Sequence, residues 1–395
     1  MQVRAHAMAA SLVKQGHRVT VLTEMPNHPA GIVHPAYRGK LLCREKLDGI
    51  DVVRVWVKAS PRKTFNTRLA FYISYMINAA LRGLLLSQSY HVIFANSPPL
   101  FVGAAGLALS YLRRTPFVLE VQDLWPESAV ALGELNNPRY IKWATYVEER
   151  CYQRAKKIVT VTDGIYNRLR ERGYPAEKLT KIENGSNTEL FRPQPAEAAQ
   201  LQAKLGLGDK FIALYAGLMG LAYDFGTVIE TARLLQAETD IHFVLVGDGP
   251  RRYEVEALIQ SSQLPNLTLL PGQPLEAMPA YFSAANVTLI PLRNLELFLG
   301  TRPVKMFDAW ACQCPVIVSV IGGEAQQLVE TAQGGLVIEP ENPAELARAI
   351  VALRNDPTKG PMFGQNGQRH VLAHYSFQTM ALKLEQILAE SANKI

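Results

Sequence analysis

The sequence predicts an α/β fold made of two doubly wound, Rossmann-like domains. Short β-branched runs alternate with longer amphipathic segments along the chain, which is typical of βαβ units and parallel sheets. A chain of 395 residues is also too long for one hydrophobic core. Hydrophobic residues make up 48% and charged residues 19% of the chain, a composition typical of globular rather than disordered or fibrous proteins.

The predicted strands form two sets, one in each half of the chain. The first set comprises residues 17–23, 50–57, 91–95, 116–121 and 157–161. The second set comprises residues 211–215, 242–246, 267–270, 287–291, 315–319 and 335–338. The segments between them are mostly long enough for a helix, as parallel strands require.

A turn-rich stretch over residues 183–187, followed by Arg192 and Pro193, separates the two sets. We therefore predict an N-terminal domain over residues 1–183 and a C-terminal domain over residues 184–374. The remaining residues, 375–395, are predicted to form an amphipathic helix that packs back on the N-terminal domain.

The order of elements at the start of the chain departs from the Rossmann pattern. Residues 2–16 predict a helix, whereas a Rossmann domain opens with a strand and a tight glycine-rich turn. The first β-strand of the N-terminal domain is therefore missing from the sequence. Because that strand is central, its loss would leave two neighbouring strands with unpaired N–H and C=O groups. We expect either that the natural protein starts upstream of Met1 or that the first domain is compromised.

Charge and cysteine content argue against a nucleic-acid partner and against a metal site. The net charge is +6, but the basic residues are dispersed along the chain, which argues against binding of nucleic acid. The four cysteines, Cys43, Cys151, Cys312 and Cys314, lack the spacing of a metal site. We therefore expect no metal and interpret them as buried thiols of a protein in the reducing cytoplasm.

One apolar segment raises the possibility of membrane contact. No run reaches the roughly 20 apolar residues needed to span a bilayer. Residues 69–86 are nevertheless rich in large apolar side chains, and Arg62, Lys63 and Arg68 precede them. This pattern fits a helix lying on an anionic interface, such as the inner face of the cell membrane, and it fits a core helix equally well.

Short motifs recur in a fixed order along nearly the whole chain. They are residues 4–6 (RAH), 14–23 (KQGHRVTVLT), 26–31 (PNHPAG), 123–128 (DLWPES), 184–187 (NGSN), 214–220 (LYAGLMG), 246–250 (VGDGP), 302–308 (RPVKMFD) and 322–324 (GGE). In this order and spacing they resemble the large retaining glycosyltransferase family four. Within that family they are most similar to the bacterial branch that makes cell-surface polysaccharides such as O-antigen and capsule.

The resemblance implies a GT-B fold, in which two Rossmann-like domains face a central cleft. It implies that the N-terminal domain binds the acceptor, a polysaccharide or polyprenyl-diphosphate-linked precursor, and that the C-terminal domain binds the nucleotide-sugar donor. It further implies a UDP-linked sugar, an N-acetylated hexose or deoxyhexose, transferred with retention of configuration. No metal or other cofactor is expected.

The sequence departs from the family pattern at the residues that usually grip the donor. The family carries two glutamates separated by seven residues, and the matching positions here hold Gly300 and Asp308. Many relatives also carry an arginine and a lysine that hold the diphosphate. The matching positions here are Leu218 and Tyr223.

Without a metal, the protein itself has to stabilise the charge that develops on the departing diphosphate. Arg302 and Pro303 open a predicted helix whose first N–H groups can face the diphosphate, and Lys305 adds a full charge. Asp308 lies three residues further along the same helix face and is predicted to accept hydrogen bonds from ribose hydroxyls. The alternative is a surface Lys–Asp pair that merely stabilises the helix.

Glycines and one acidic residue complete the predicted donor site. Gly217 and Gly220 follow the strand 211–215, where a missing side chain permits close approach of a phosphate or a tight turn. Gly272 lies in a loop that resembles the family segment facing the nucleobase. Glu324 follows the strand 315–319 and is predicted either to meet the ligand or to cap the next helix.

The predicted acceptor residues lie in the N-terminal half. Asp123, Trp125 and Glu127 follow the strand 116–121, at the sheet edge where ligands gather. Asp123 is predicted to orient or deprotonate an acceptor hydroxyl, and Trp125 to stack on a sugar ring unless it is core. His28 is a further candidate acceptor contact, with a simple loop role as its alternative.

Two other functions stay open at this point. A catalytically degenerate GT-B subunit that binds a nucleotide sugar without transferring it is favoured by the missing strand, Gly300 and Asp308. A UDP-hexosamine epimerase is the weaker alternative, because paired catalytic carboxylates and histidines are not evident in the sequence.

Overall fold

The computed structural model describes residues 2–28, 30–62 and 64–392, and it has the predicted α/β fold. Contacts divide the chain into two compact units. The first unit comprises the residues up to Glu183 together with those from Met380 onwards, and the second comprises Asn184–Thr379.

The first unit contains seven strands and six complete helices among its described residues. The strands are β1 (Thr20–Glu24), β2 (Leu42–Leu47), β3 (Ile50–Val55), β4 (Ile93–Ser97), β5 (Phe117–Val121), β6 (Lys157–Thr160) and β7 (Leu179–Lys181). The helices are α1 (Gln2–Lys14), α2 (Phe65–Leu84), α3 (Leu100–Leu112), α4 (Glu127–Ala131), α5 (Pro138–Arg154) and α6 (Asp163–Glu171).

The strands of the first unit form two sheets rather than one. One sheet has the order β1-β3-β2 and the other the order β4-β5-β6-β7. All pairs are parallel except β2 with β3. Among the described residues, β1 is the last strand of one sheet and β4 is the last strand of the other. The strand predicted to be missing would have paired with these two. Two of these strands were not predicted from the sequence: β2, which is half charged, and β7, which has only three residues.

The second unit contains six strands and eight complete helices. The strands are β8 (Phe211–Ala216), β9 (Ile241–Val246), β10 (Leu267–Leu270), β11 (Val287–Ile290), β12 (Val316–Ser319) and β13 (Gly335–Ile338). The helices are α7 (Pro195–Leu205), α8 (Phe225–Leu234), α9 (Arg252–Ser262), α10 (Met278–Ala284), α11 (Val304–Ala311), α12 (Gly323–Ala332), α13 (Pro343–Asn355) and α14 (Lys359–His374).

The sheet of the second unit is continuous and wholly parallel, with the order β10-β9-β8-β11-β12-β13. Strands β9, β11 and β12 are buried along their whole length, as expected of a parallel sheet with helices on both faces. This is the doubly wound arrangement, in which the order reverses between β8 and β11. Ligands of such sheets bind at the carboxyl ends of the strands, beside that reversal.

Trp310 fixes α11 to the rest of the second unit. Its side chain is fully buried, and its Nε1 donates a hydrogen bond to the carbonyl oxygen of Gly334 at 2.8 Å. A Cβ added at Gly334 or Gly367 would lie 2.6 Å or 2.3 Å from the indole ring. Both glycines therefore leave the space that the indole occupies, so α11 has little freedom to move.

The last helix, α15 (Phe377–Ala392), starts in the second unit and packs mainly in the first. Lys383 lies 3.6 Å from Glu183, and Glu385 lies 3.1 Å from His17. Lys156 donates a hydrogen bond to the carbonyl oxygen of Ser391 at 3.2 Å. These contacts tie residues 380–392 to the first unit.

The apolar segment predicted to lie either on a membrane surface or in the core falls mostly within α2. Tyr75, Ala79 and Gly83 bury one face of this helix, whereas Ile77 and Leu81 are about half exposed. Among the described residues, no helix has the length and apolar character required to cross a bilayer. Lys63, one of the basic residues noted before this segment, lies outside the described residues.

Candidate active site

Helix α11 connects β11 to β12, so its first turn lies at the carboxyl edge of the sheet in the second unit. Pro303 was predicted at the first helical position, but the helix begins one residue later, at Val304. Pro303 stands at the cap with φ −61°. Because the first N–H groups of a helix have no partner within the helix, this edge offers donors to an anion.

Lys305 extends from the first turn of α11 into a site between two tyrosine rings. Its Nζ lies 3.8 Å from the ring centroid of Tyr215 and 3.7 Å from that of Tyr223. The amine is shielded from solvent and has no hydrogen-bond partner among the described residues. Burial lowers the pKa of Lys305 well below its ordinary value.

Gly217 forms the side of this site that carries no side chain. It follows β8 with φ +128°, and a Cβ added there would lie 3.6 Å from the Lys305 Nζ. The loop after β9 packs against the same turn, since a Cβ at Gly247 would lie 1.9 Å from the Gly217 carbonyl oxygen. The structure therefore brings Gly217 and Lys305 together, as a phosphate site after β8 requires.

The other two predicted donor glycines have different surroundings. A Cβ at Gly220 would lie 3.6 Å from Leu218, which is ordinary contact, so nothing here demands glycine. A Cβ at Gly272 would lie 3.3 Å from Cβ of Asp248, a tight approach between the loops after β10 and β9.

Arg302 and Glu324 form a buried ion pair beside α11. The Arg302 Nε lies 2.7 Å from the Glu324 Oε2, and the side chains are 10% and 8% exposed. The Arg302 Nη1 also lies 3.5 Å from the Tyr375 hydroxyl. Glu324 is on the first turn of α12, but its carboxylate faces Arg302. The pair holds the first turns of α11 and α12 together.

The glycine before Glu324 makes this approach of α12 possible. Gly323 has φ +75°, and a Cβ there would lie 2.1 Å from the carbonyl oxygen of Leu299. The 3₁₀ turn that ends at Gly300, the position of the missing family glutamate, therefore packs directly on the start of α12.

Asp308 lies one turn beyond Lys305 and meets different groups. Its Oδ1 accepts a hydrogen bond from the Ser186 hydroxyl at 2.6 Å. Ser186 is itself fixed, because its N–H donates to the Tyr375 carbonyl and its carbonyl accepts from the Phe377 N–H. Burial raises the pKa of Asp308 to about 7, although the serine hydroxyl opposes this shift. Asp308 and Lys305 do not form the surface ion pair that was the alternative.

The predicted acceptor residues follow β5 in the first unit. Asp123 accepts a hydrogen bond from the Ser128 hydroxyl at 2.9 Å, and burial raises the pKa of its carboxyl group. Trp125 is half-buried and precedes a cis bond to Pro126. A carboxyl group with a raised pKa at a strand end is suited to proton transfer with a hydroxyl.

Glu127 and His28, the other two predicted acceptor residues, are both exposed. Glu127 is exposed and lies 3.2 Å from the Arg168 Nε of α6. His28 is exposed in the turn after β1. Pro29, which follows it in the motif, lies outside the described residues.

A buried polar cluster in the first unit was not found from the sequence. Arg4 of α1 lies 2.6 Å from Glu120 of β5, whose side chain is fully buried. The same carboxylate accepts hydrogen bonds from Asn96 and Gln122. Arg4 also donates to the carbonyl oxygen of Glu183 at 2.6 Å. The one signal in the sequence was a charged residue inside the apolar run 116–121.

Both halves of the chain match families of sugar-transferring proteins. Residues 1–185 match the glycosyl transferase 4-like domain, and residues 210–356 match glycosyl transferases group 1. Both halves are therefore glycosyltransferase domains. Together the two matches span most of this glycosyltransferase.

Two curated relatives cover most of the glycosyltransferase. The putative colanic acid biosynthesis glycosyl transferase WcaI of Escherichia coli (strain K12) is 25% identical over 352 residues, 87% of this chain and 86% of the relative. The α-D-kanosaminyltransferase of Streptomyces kanamyceticus is 26% identical over 289 residues, 71% of this chain and 72% of the relative.

Solved structures share the fold at low identity. Sucrose-phosphate synthase from Thermosynechococcus elongatus superposes with a TM-score of 0.72 at 23% identity, covering 98% of this chain and 92% of that one. HepE of Anabaena, in complex with UDP and glucose, superposes with a TM-score of 0.69 at 17% identity, covering 94% and 100%. The glycosyltransferase thus has the GT-B fold expected from its motifs.

Proposed function

We propose that this protein is an active, retaining glycosyltransferase that moves a sugar from a UDP-linked donor to a polysaccharide or polyprenyl-diphosphate-linked precursor. The proposed branch is that of bacterial cell-surface polysaccharides, and the similarity to a colanic acid biosynthesis enzyme supports it. Complexes of the structurally similar HepE with UDP and glucose support UDP as the carrier.

The observation that carries the proposal is the first turn of α11 with its amine. Lys305 brings a buried Nζ to within van der Waals distance of the space left by Gly217, beside the switch point of a doubly wound sheet. Helix N–H groups and an amine together are what a developing diphosphate charge requires. No metal has a role in this proposal.

The other residues of the donor site have separate roles in the proposal. Asp308 accepts hydrogen bonds from the ribose hydroxyls, and the main chain at Gly272 faces the base. The Arg302–Glu324 ion pair, 2.7 Å long, holds the α11 and α12 turns in place. Asp123 accepts the proton of the acceptor hydroxyl, since its buried carboxyl group has a raised pKa.

The acceptor side of the proposal includes contact with an anionic membrane on its cytoplasmic face. The N-terminal end of α2 carries Phe65, which lies 5.3 Å from the ring of Tyr140 on α5. Both rings are exposed, together with Trp143. Aromatic side chains beside the basic Arg62 and Arg68 form the kind of surface that holds a protein at headgroup depth near a lipid-linked acceptor.

The test of the donor site uses a charge-removing variant that keeps the side-chain stem. Lys305→Met is expected to weaken UDP binding at least about tenfold, the loss of one charge-assisted contact. Lys359→Ala, a lysine at the start of α14 that also lies near a ring, is the matched control and is expected to bind UDP like the parent. Calorimetry measures both, and circular dichroism checks the fold.

The second candidate function is a subunit that binds a nucleotide sugar without transferring it. A turnover assay distinguishes this subunit from an enzyme. Gly300 in place of a family glutamate, at the end of a 3₁₀ turn, favours that candidate. Release of free sugar from UDP-sugars, or transfer to a lipid-linked acceptor, is the expected result for an enzyme. Tight UDP binding without turnover of any UDP-sugar tested would replace the transferase by the binding subunit. Undiminished UDP binding by Lys305→Met would move the donor site elsewhere.

A further inference from the structure

Two aromatic rings surround the amine of Lys305, and neither ring has a role in the donor site described so far. Tyr215 is on β8 and Tyr223 is in the loop before α8. Their ring centroids are 5.5 Å apart at an interplanar angle of 72°, so the two faces meet the amine from different directions. Each face is within 4 Å of the Nζ.

Contacts apart from Lys305 hold the Tyr215 side chain and the Tyr223 main chain in place. The Tyr215 side chain is fully buried, and its hydroxyl donates a hydrogen bond to the Leu218 carbonyl oxygen at 2.6 Å. Tyr215 also packs edge-on against Phe225 at 4.8 Å. The Tyr223 carbonyl accepts a hydrogen bond from Arg251 at 2.7 Å. The Tyr223 ring is partly buried and packs against the same core.

The chemistry of a ring face differs from that of the usual partners of a buried lysine. A carboxylate would neutralise the ammonium group and compete with an incoming anion for its three N–H donors. An aromatic face attracts the cation through its quadrupole, and the attraction is stronger when both groups are desolvated. It leaves the N–H donors unsatisfied, as observed for the Lys305 Nζ.

Next to the amine, the turn after β8 presents Gly217 and therefore no side chain. A Cβ added there would lie 3.6 Å from the Nζ and 3.7 Å from the Cε. An anion bound against the main chain at Gly217 would therefore lie within reach of the amine without displacing a side chain of that residue.

We propose that Tyr215 and Tyr223 are positioning residues that hold the Lys305 amine beside Gly217, with its donors unused, for the diphosphate of the nucleotide sugar. The proposal rests on the proposed function, because Lys305 must be a donor-binding residue. According to this proposal, the two rings increase the affinity for the diphosphate, whichever base or sugar it carries.

The test is a double-mutant cycle between Tyr223 and Lys305, with UDP and GDP as probes in calorimetry on the full chain. Tyr223→Leu is expected to weaken binding of both nucleotides about tenfold, the upper part of the cation–π range. Tyr223→Phe keeps the ring face and is expected to stay within about twofold of the parent. Tyr253→Leu, at an exposed tyrosine of α9, is the control and leaves binding unchanged.

The cycle separates positioning from simple structural support. In the Lys305→Met background, Tyr223→Leu is expected to cause no further loss, because the cation that the ring holds is gone. An equal loss in both backgrounds would overturn the proposal. If Lys305→Met weakens UDP binding and folded Tyr223→Leu does not, this inference alone fails. If Lys305→Met binds like the parent, the donor site itself fails.

An alternative substitution keeps the test possible if the first variant does not fold. Should Tyr223→Leu unfold, Tyr223→Met replaces the ring by an unbranched apolar side chain that fills irregular space more readily. The same coupling with Lys305→Met is expected, and additive losses would again overturn the proposal.

Discussion

Lys305 and Asp308 lie three residues apart on α11, yet burial acts on them in opposite directions. Burial favours the neutral form of each group, so it lowers the pKa of the amine and raises that of the carboxyl group. Neither group forms an ion pair with a described residue: the amine meets two rings, and the carboxylate meets the Ser186 hydroxyl. Ionisable groups buried without a counter-ion at a sheet edge are typical of functional sites.

The raised pKa of Asp308 predicts a pH-dependent stability. Its pKa is about 7 in the folded chain against 3.8 ordinarily, so between these values the folded state binds more protons than the unfolded state. The free energy of unfolding should therefore fall as pH rises from about 4 to 7, by up to about 4 kcal/mol from this group. Urea denaturation across this range measures the slope.

The control is Asp308→Asn, which imitates the protonated carboxyl group and still accepts from Ser186. We expect the difference in unfolding free energy between parent and variant to change through this range. A constant difference at every pH would contradict the assigned shift.

The Arg4–Glu120 pair predicts a large effect of a single substitution in the first unit. Arg4→Met leaves the fully buried Glu120 carboxylate with only its amide donors, which should destabilise the unit by about 3–5 kcal/mol. Adding Glu120→Leu removes the stranded charge and should recover part of that loss. Chemical denaturation of the single and double variants measures both, and a double variant less stable than Arg4→Met would contradict the reasoning.

At the scale of elements, glycines decide how closely the helices approach the sheets. Helix α3 packs on β4 and β5 with two glycines on its inner face. A Cβ at Gly106 would lie 2.7 Å from the Phe117 ring and 3.1 Å from the Cβ of Ala95, whereas a Cβ at Gly103 would make ordinary contacts of 3.4 Å and 3.5 Å.

These two positions form a matched pair in one helix. Gly103→Ala should be neutral or stabilising by up to about 1 kcal/mol, because alanine has the higher helix propensity. Gly106→Ala gains the same propensity but forces Phe117 or the helix to shift, so it should destabilise by about 1–3 kcal/mol. Thermal unfolding of both variants measures the difference, and equal melting temperatures would show that the α3 packing is looser than described.

At the scale of the molecule, the two units differ in the completeness of their sheets. The sheet of the second unit runs through six strands, whereas the first unit has one sheet of three strands and one of four. On β1 and β4, alternate residues turn their N–H groups away from the neighbouring strand. On β4 these residues are Phe94 and Asn96, since Ile93 and Ser97 bond toward β5.

Hydrogen exchange should reveal these open edges residue by residue. The amides of Leu22 and Phe94 point away from the paired strands and should exchange faster than those of Val21 and Ala95, which point toward them. The four residues lie in the same two strands, so they control for local solvent access. Residue-resolved exchange by NMR measures this, and equal protection of all four amides would show that both edges are paired.

The strand–helix alternation, the division near residue 183 and the position of the candidate donor helix could all be predicted from the sequence. Apolar runs such as 211–215 and 287–291 carry the period of buried strands regardless of what they pack against. The charged β2 and the short β7 were missed, because an edge strand that is half charged and a strand of three residues give little periodic signal.

Local sequence by itself determined which elements form and which residues reach the carboxyl edge of each sheet, because backbone periodicity and turn chemistry act over a few residues. Only the tertiary structure decided what each of those side chains meets. Tyr215 and Tyr223 around Lys305, Ser186 on Asp308 and Glu324 on Arg302 join positions far apart in the chain. Burial and the pKa values that follow from it depend on such long-range packing, which no local pattern encodes.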